Sequence, residues 1–374
     1  MKYPVRIAAL AAVIALSAAA CGDKPNDSAA APESSTTPGS SPSSSTPPES
    51  HPDVTACMVS DSGGFDDKGF NQTAYKGLTD AVTDLGVKKA QVESNTDSDY
   101  VNNINAMIQQ NCNVIVSAGY KLADATLAAA KKNPDINFAI VDYTDYKSPP
   151  KNLRELGFNT AQTSFLAGYL AAGMTKTGKV GTLGGVNIPT VTIFMDGFWE
   201  GVQYYNQQKG TDVQVLGWDE TTQKGLFTND FENKTVGQTT AENLISQGAD
   251  IILPVAGPAG LGALQAVKDS GGQVNGIWVD TDGCVSAAEY CPELLTSVNK
   301  GMDVAVEDAI SDDVKGTFDN TEYIGTLENG GTGLAPYHDW DSKIPDELKS
   351  EIDQLKQGII DGTITIKSKS QPAP

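Results

Sequence analysis

Residues 54–78 read "VTACMVSDSGGFDDKGFNQTAYKGL". A short β-rich run, 54–60, passes through a glycine-studded acidic turn and enters a helical pattern that extends from about Asn71 to Leu85. Strand, tight turn and helix in that order form the first half of a βαβ unit. The turn is too polar for a core and too aromatic for an ordinary solvated loop. Two adjacent acids, Asp66 and Asp67, precede the helix, where a cap needs one.

The same rhythm continues along the chain. "KAQVES" and "NVIVSAG" flank a helical pattern near Tyr100 to Gln110, "LADATLAAAKKNP" is a third helix ended by Pro134, and "NFAIVD" (137–142) is a strand. A second series follows, with "AQTSFLAGYLAAGMT" (161–175) as a small-residue helix and "KVGTLGGV" as a strand. "TVTIFMDGFWEGVQYYNQ" is then a helix, "VQVLGWD" a strand, "ADIILPVAG" (249–257) another, and "GIWVDTDG" (276–283) the last of the series. Two such series predict an α/β protein of two doubly wound parallel-sheet lobes joined by crossing strands. The expected partition is 54–158 plus 284–321 for the first lobe, 159–283 plus 322–366 for the second, and 367–374 as a tail.

Ligands of open α/β sheets sit beyond the carboxyl ends of the strands. "DSGGFDDKGFN", "DYTD", "AGPAG" and "DTDG" all fall at such ends, so facing lobes would aim them into one cleft. The glycine runs "GTLGGV" and "GPAGLG" have neither the G-x-G-x-x-G spacing nor a terminal G-K-S/T, which argues against phosphate loops and for close backbone approach.

The N-terminal segment reports location rather than fold. Lys2 and Arg6 precede an apolar run from Ile7 to Leu16 and small residues up to Cys21, the layout of a secretory signal over 1–20. "LSAAAC" resembles the bacterial lipobox, which makes Cys21 the expected lipidation site and the extracytoplasmic face of the cell membrane the expected location. Residues 21–53 then form a Ser/Pro-rich linker that carries too little apolar surface to fold, so it reads as a tether. The formal net charge is −21, and loss of Lys2 and Arg6 with the signal leaves −23. That balance disfavours nucleic acid or anionic lipid as a docking surface.

Cys57, Cys112, Cys284 and Cys291 remain in a compartment that permits disulfides. Four cysteines allow three pairings. The short spacing suggests Cys284 with Cys291, which leaves Cys57 with Cys112, and free buried thiols compete with that second bridge. None has the two-residue spacing of a redox or zinc motif. The two histidines are His51, in the tether, and His338. Histidine triads and two-histidine metal sites are therefore disfavoured, and we expect no enzyme, metal or cofactor. A hydrolase working through paired acids is the weaker alternative, lacking a D-x-D-x-x-x-D-D cluster.

"GGFDDKGFNQTAYKGL", "SFLAGYLAAGMTKTGKVGTLGG", "PTVTIFMDGFWEGV", "PVAGPAGLGALQA", "WVDTDGC" and "LTSVNKGMDVAV" together resemble the basic membrane protein family of bacterial lipoproteins. These are the PnrA-like, purine-nucleoside-binding solute-binding proteins of ABC transporters. The resemblance runs from about Asp53 to Ile366 and implies a type I periplasmic-binding fold that closes on a nucleoside and passes it to permease subunits, as a monomer. Carried over by position, the ligand contacts fall on Asp66, Asp67, Phe70, Asn71, Asp142, Phe231, Gly257, Asp280 and Lys300.

A nucleoside asks for aromatics on its base and carboxylates on its vicinal hydroxyls. Phe70 and Phe231 suit the first task, with Phe227 competing in a stretch longer than the family's usual version. Asp280 suits the second, with Asp282 next. Lys300 precedes a helical pattern whose dipole disfavours a cation, which points to an acidic partner or a ligand oxygen. A sugar, another small solute, or a sensor role on the same fold are the competing readings.

Overall fold

The computed structural model describes residues 50–372. The signal segment, Cys21 and nearly all of the proposed linker lie outside the described residues.

The first lobe opens with β1 (Thr55–Ser60), α1 (Phe70–Leu85), β2 (Lys88–Val92), α2 (Tyr100–Gln109), β3 (Val114–Ala118), α3 (Ala123–Lys132), β4 (Asn137–Val141) and β5 (Leu153–Phe158). The chain then crosses into α4 (Thr160–Met174), β6 (Lys179–Gly184), α5 (Pro189–Lys209) and β7 (Gln214–Leu216). A small hairpin of β8 (Trp218–Asp219) and β9 (Lys224–Gly225) precedes α6 (Lys234–Ser246), β10 (Ile251–Val255), α7 (Gly257–Asp269), β11 (Asn275–Asp280), the short α8 (Gly283–Ser286) and β12 (Leu294–Lys300). Finally α9 (Met302–Lys315) and β13 (Tyr323–Gly325) return to the first lobe, and β14 (Thr332–Leu334) and α10 (Asp346–Ile360) to the second.

Two six-stranded sheets result, in the orders β13-β5-β4-β3-β1-β2 and β14-β12-β11-β10-β6-β7. Every pairing in them is parallel except β12 with β14. Helices cover both faces, which is why β1, β3 and β4 are buried almost end to end and read as continuous apolar runs.

Three boundaries differ from the sequence expectation. Residues 294–300 were assigned to the first lobe, but β12 pairs with β11 from Gly276↔Leu294 to Asp280↔Asn299, so the crossing back comes at Gly301. β13, assigned to the second lobe, pairs instead with β5 of the first. The "tail" is no tail up to Pro372: Ser368 is buried and donates to Asp196 Oδ2 at 2.6 Å, and Gln371 Oε1 accepts from Asn159 Nδ2 at 3.0 Å. One strand had no sequence signal. "LRELGF" of β5 is wholly buried with Arg154 and Glu155 inside it. Arg154 pairs with Asp312 at 2.7 Å and Asp319 at 3.1 Å, partners distant enough in sequence to hide the pattern, and Glu155 accepts from Tyr146 N nearby at 3.0 Å.

The small-residue helix α4 packs on α5 at backbone contact. A Cβ on Gly168 would stand 2.1 Å from the Phe198 carbonyl oxygen, and one on Gly197 2.3 Å from that of Ala161. Larger residues would push α5 off the second sheet and away from the cleft that its N-terminal turn borders. Both disulfides form as the spacing suggested, Cys57 with Cys112 and Cys284 with Cys291. The first ties β1 to the segment before β3 inside a buried apolar cluster, so the competing free-thiol reading does not hold.

Candidate functional site

The carboxyl ends of β1, β3 and β4 face those of β6, β10, β11 and β12 across a cleft of about 600 Å³, its open mouth included. Eight of the ten expected ligand contacts line it: Asp67, Phe70, Asn71, Asp142, Phe231, Gly257, Asp280 and Lys300. Asp66 and Asp282 do not.

The turn after β1 divides its work. Asp67 is buried and caps α1, its Oδ1 accepting from Gly69 N at 2.9 Å and Gln72 N at 3.0 Å, its Oδ2 from Asn71 N at 2.8 Å. Burial raises its carboxyl pKa, and these three amide bonds oppose the rise. Asp66 is 85 % exposed and pairs with Lys68, so the second acid is a surface charge rather than a ligand contact. Asn71 donates to Asp61 Oδ1 at 2.9 Å and to the Ser62 carbonyl at 3.3 Å. Its own Oδ1 is buried without a partner among the described residues, which is costly unless something else donates to it.

Lys300 is the electrostatic centre. It ends β12, is 4 % exposed, and its Nζ lies 2.6 Å from Asp142 Oδ2 and 3.5 Å from Asp280 Oδ1. Burial alone would lower its pKa, but the two carboxylates outweigh that and keep it protonated. The anticipated acidic partner is thus two partners, one from each sheet. Asp142 and Asp280 occupy matching places at the ends of β4 and β11, both with left-handed backbone, φ 67° and 70°. Such conformations persist in non-glycine residues where the surroundings impose them, and they are common at functional sites. Asp280 is pushed up to about 6, by burial first and by the Asp142 and Asp67 charges, against the pull of Lys300. The Lys300 ammonium also stands 5.2 Å from the centre of the Phe70 ring and 5.0 Å from that of Phe194, a cation–π arrangement on two sides.

Adjacent glycines explain the competition between Phe227 and Phe231. A Cβ on Gly184 would stand 2.6 Å from the Phe227 ring, and one on Gly185 2.3 Å from the Phe231 ring. The run "GTLGGV" is therefore a seat for two phenylalanines. Phe227 turns into the second lobe's core, its ring centre 6.0 Å from that of Trp218, while Phe231 lines the cleft. The backbone of Phe231 is fixed where its carbonyl accepts from Ala259 N at 2.7 Å.

Asp282 has another role. Its Oδ1 accepts from Cys284 N at 3.0 Å, capping α8, and its Oδ2 lies 2.7 Å from His338 Nε2. Asp282, Cys284 and His338 come close enough to suggest a metal site. The Cys284 sulfur is bonded to Cys291, however, and two remaining donors make a poor one.

Several lining residues were not anticipated: Asp61, Tyr120, Lys121, Thr190 and Phe194. Asp61 and Tyr120 do follow buried strands, so the strand-end rule could have found them. Phe194 lies in an apolar helix with no local mark separating it from core. Burial, foremost, pushes the Asp61 carboxyl up to about 7, opposed by the Asn71 hydrogen bond and Lys121 and reinforced by Asp67 and Asp142.

The profile of the family described as "ABC transporter substrate-binding protein PnrA-like" matches residues 54–370. The chain belongs to that family. It is a solute-binding component of an ABC transport system and not an enzyme. It is 33 % identical over 338 residues to a CD4+ T-cell-stimulating antigen of Listeria monocytogenes, covering 86 % of this chain and 90 % of that one. It is 30 % identical over 336 residues to the ABC transporter nucleoside-binding protein BmpA of Lactococcus lactis, with coverage of 85 % and 90 %. Among solved structures, an ABC transporter solute-binding protein of Aeropyrum pernix superposes with a TM-score of 0.75 at 26 % identity, over 84 % of this chain and 93 % of that one.

Proposed function

We propose that the protein captures a nucleoside, preferentially a purine nucleoside, between its two lobes and delivers it to the permease of an ABC importer. The observation that carries this reading is the meeting of Phe70 from one lobe and Phe231 from the other in a cleft that also holds Asp280 and Lys300. Two aromatic faces can sandwich a base, at about 1–3 kcal/mol per stacked base. A carboxylate beside an ammonium can accept from and donate to neighbouring ribose hydroxyls. Asn71, with its unpartnered Oδ1, supplies an acceptor for an amino or imino edge of the base. Asp67, Asp142 and Gly257 shape the wall around these contacts. The name of the Lactococcus lactis relative supports the ligand class.

The chain acts as a monomer, anchored by a lipid on Cys21 at the extracytoplasmic face of the membrane. No helix among the described residues is long and apolar enough to cross a bilayer.

Mass spectrometry of whatever co-purifies with the protein, followed by calorimetric titration with adenosine, guanosine, inosine, cytidine and ribose, tests the reading. Purine nucleosides should bind with dissociation constants at or below about 1 μM, around −8 kcal/mol, and remain uncleaved. Equal affinity for ribose would replace the nucleoside with a sugar, and release of free base would make the protein a hydrolase. Transfer of a Cys21→Ser variant from the membrane to the soluble fraction tests the anchor.

A further inference from the structure

The lobes touch at a second place, outside the solute cleft. The Lys68 carbonyl of the first lobe accepts two hydrogen bonds from the second, from Trp278 Nε1 at 3.1 Å and from Ser286 Oγ at 2.8 Å. Lys68 has φ 62°, in the left-handed region. A lysine holds that conformation where its surroundings impose it, and here it turns the carbonyl toward the opposite lobe.

The two donors differ in how they are fixed. Trp278 is fully buried in β11 and needs no further support. Ser286 lies between Cys284 and Cys291, in a loop fastened at both ends. The Cys284–Cys291 disulfide closes it, and Asp282 caps its first turn while pairing with His338. At the far end, Trp340 Nε1 donates to the Pro292 carbonyl at 2.9 Å. None of these groups lines the solute cleft. The loop that carries the Ser286 hydroxyl is thus held at both ends.

We propose that Ser286 is a positioning residue that latches the closed cleft through the Lys68 carbonyl, and that the Cys284–Cys291 disulfide supports solute retention by holding the loop that carries it. The inference rests on the capture of a solute between the lobes, but its geometry is independent of which solute. Opening the lobes must break the bond from Ser286, whereas a solute reaches the open form before the bond exists. Loss of the hydroxyl therefore acts on release and leaves capture alone. A hydrogen bond of ordinary net strength corresponds to about a fivefold change.

Stopped-flow measurement with adenosine, read by tryptophan fluorescence, separates the two rates. Ser286→Ala should raise koff about fivefold with kon unchanged, and Ser286→Thr should restore it. Cys284→Ser with Cys291→Ser should raise koff by a similar factor, and adding Ser286→Ala to that pair should add nothing. An unchanged koff in Ser286→Ala, or effects of the serine and the cysteines that multiply, overturns the proposal. The ligand-free protein gives an independent reading through single-molecule energy transfer between fluorophores at the exposed Lys131 and Glu242, one on each lobe. Fewer closed molecules in Ser286→Ala, together with no binding of adenosine, would uphold the latch and remove the nucleoside. An undiminished closed population removes the latch.

Discussion

The two walls of the cleft are built from different chemistry. The first lobe contributes Asp61, Asp67, Asn71 and Asp142, with Phe70 the main apolar ring, while the second contributes Ile188, Val191, Phe194, Phe231 and Val255 around Asp280 and Lys300. One wall is mostly acceptors and the other mostly apolar surface. Under the proposed function, a solute with one flat apolar part and one hydroxylated part would suit both walls. Lys300 sits at the seam, its ammonium shared between an aspartate of each sheet.

If Lys300 joins the walls, removing it should have the largest effect. Lys300→Met leaves Asp142 and Asp280 buried without a counter-charge, and breaking a buried pair in this way costs about 3–5 kcal/mol. Chemical denaturation should show that loss, and titration should show no nucleoside binding. Ordinary stability in this variant would mean that the aspartates are held by other means.

The aromatic rings come next. Phe231→Ala and Phe70→Ala should each weaken adenosine binding by about 1–3 kcal/mol, with Phe227→Ala instead lowering stability, because its ring packs in the second lobe's core. Calorimetry on the three variants distinguishes cleft from core. A loss of affinity for ribose as large as that for adenosine would sever these rings from the base.

A smaller effect, carried by pH, tests the acidic wall. The Asp61 carboxyl titrates near pH 7 in the folded protein against an ordinary value of 3.8. Between those values the native state holds a proton that the unfolded chain has released. The stabilisation associated with that proton is complete below about pH 4 and is lost as pH rises through 7. The melting temperature of the unmodified protein should therefore fall, relative to that of Asp61→Asn, as pH is raised from 4 to 7. Parallel curves would show that Asp61 is solvated. Least of all should come from Asp66→Ala, an exposed member of a surface pair worth at most about 1 kcal/mol: binding and melting should both stay unchanged.

The strand-end rule, which depends on local order and not on distant contacts, made the polar clusters of the cleft legible, and the resemblance to a known family named the individual residues within them. The lone Asp66 shows the limit of local reading. Two neighbouring acids before a helix look equivalent in sequence, yet only Asp67 can swing both oxygens over the free amides of α1. Asp282 fails for a similar reason, since its partner His338 lies 56 residues on. β5 escaped notice because Arg154 is neutralised by acids 158 and 165 residues further on, and β12 was misplaced because a buried strand carries no sign of which sheet it will join. Phe194 and Phe231 could not be separated from core phenylalanines by periodicity, since a cleft wall and a core wall have the same apolar pattern.

By itself, the sequence determined the α/β class, the two series of strands and helices and the strand-end place of the polar clusters, because periodicity, turn chemistry and strand-end position are local properties of the chain; the eight residues that line the cleft came from the family resemblance, and the disulfide pairing stayed open. Tertiary structure alone decided which sheet received β12 and which of two phenylalanines lined the cleft. It also brought Asp142, Asp280 and Lys300 together, and set the Ser286 hydroxyl against the Lys68 carbonyl. The Lys300–Asp142 pair and the Ser286–Lys68 bond join residues 158 and 218 positions apart, and such contacts between the lobes exist only once the two have packed.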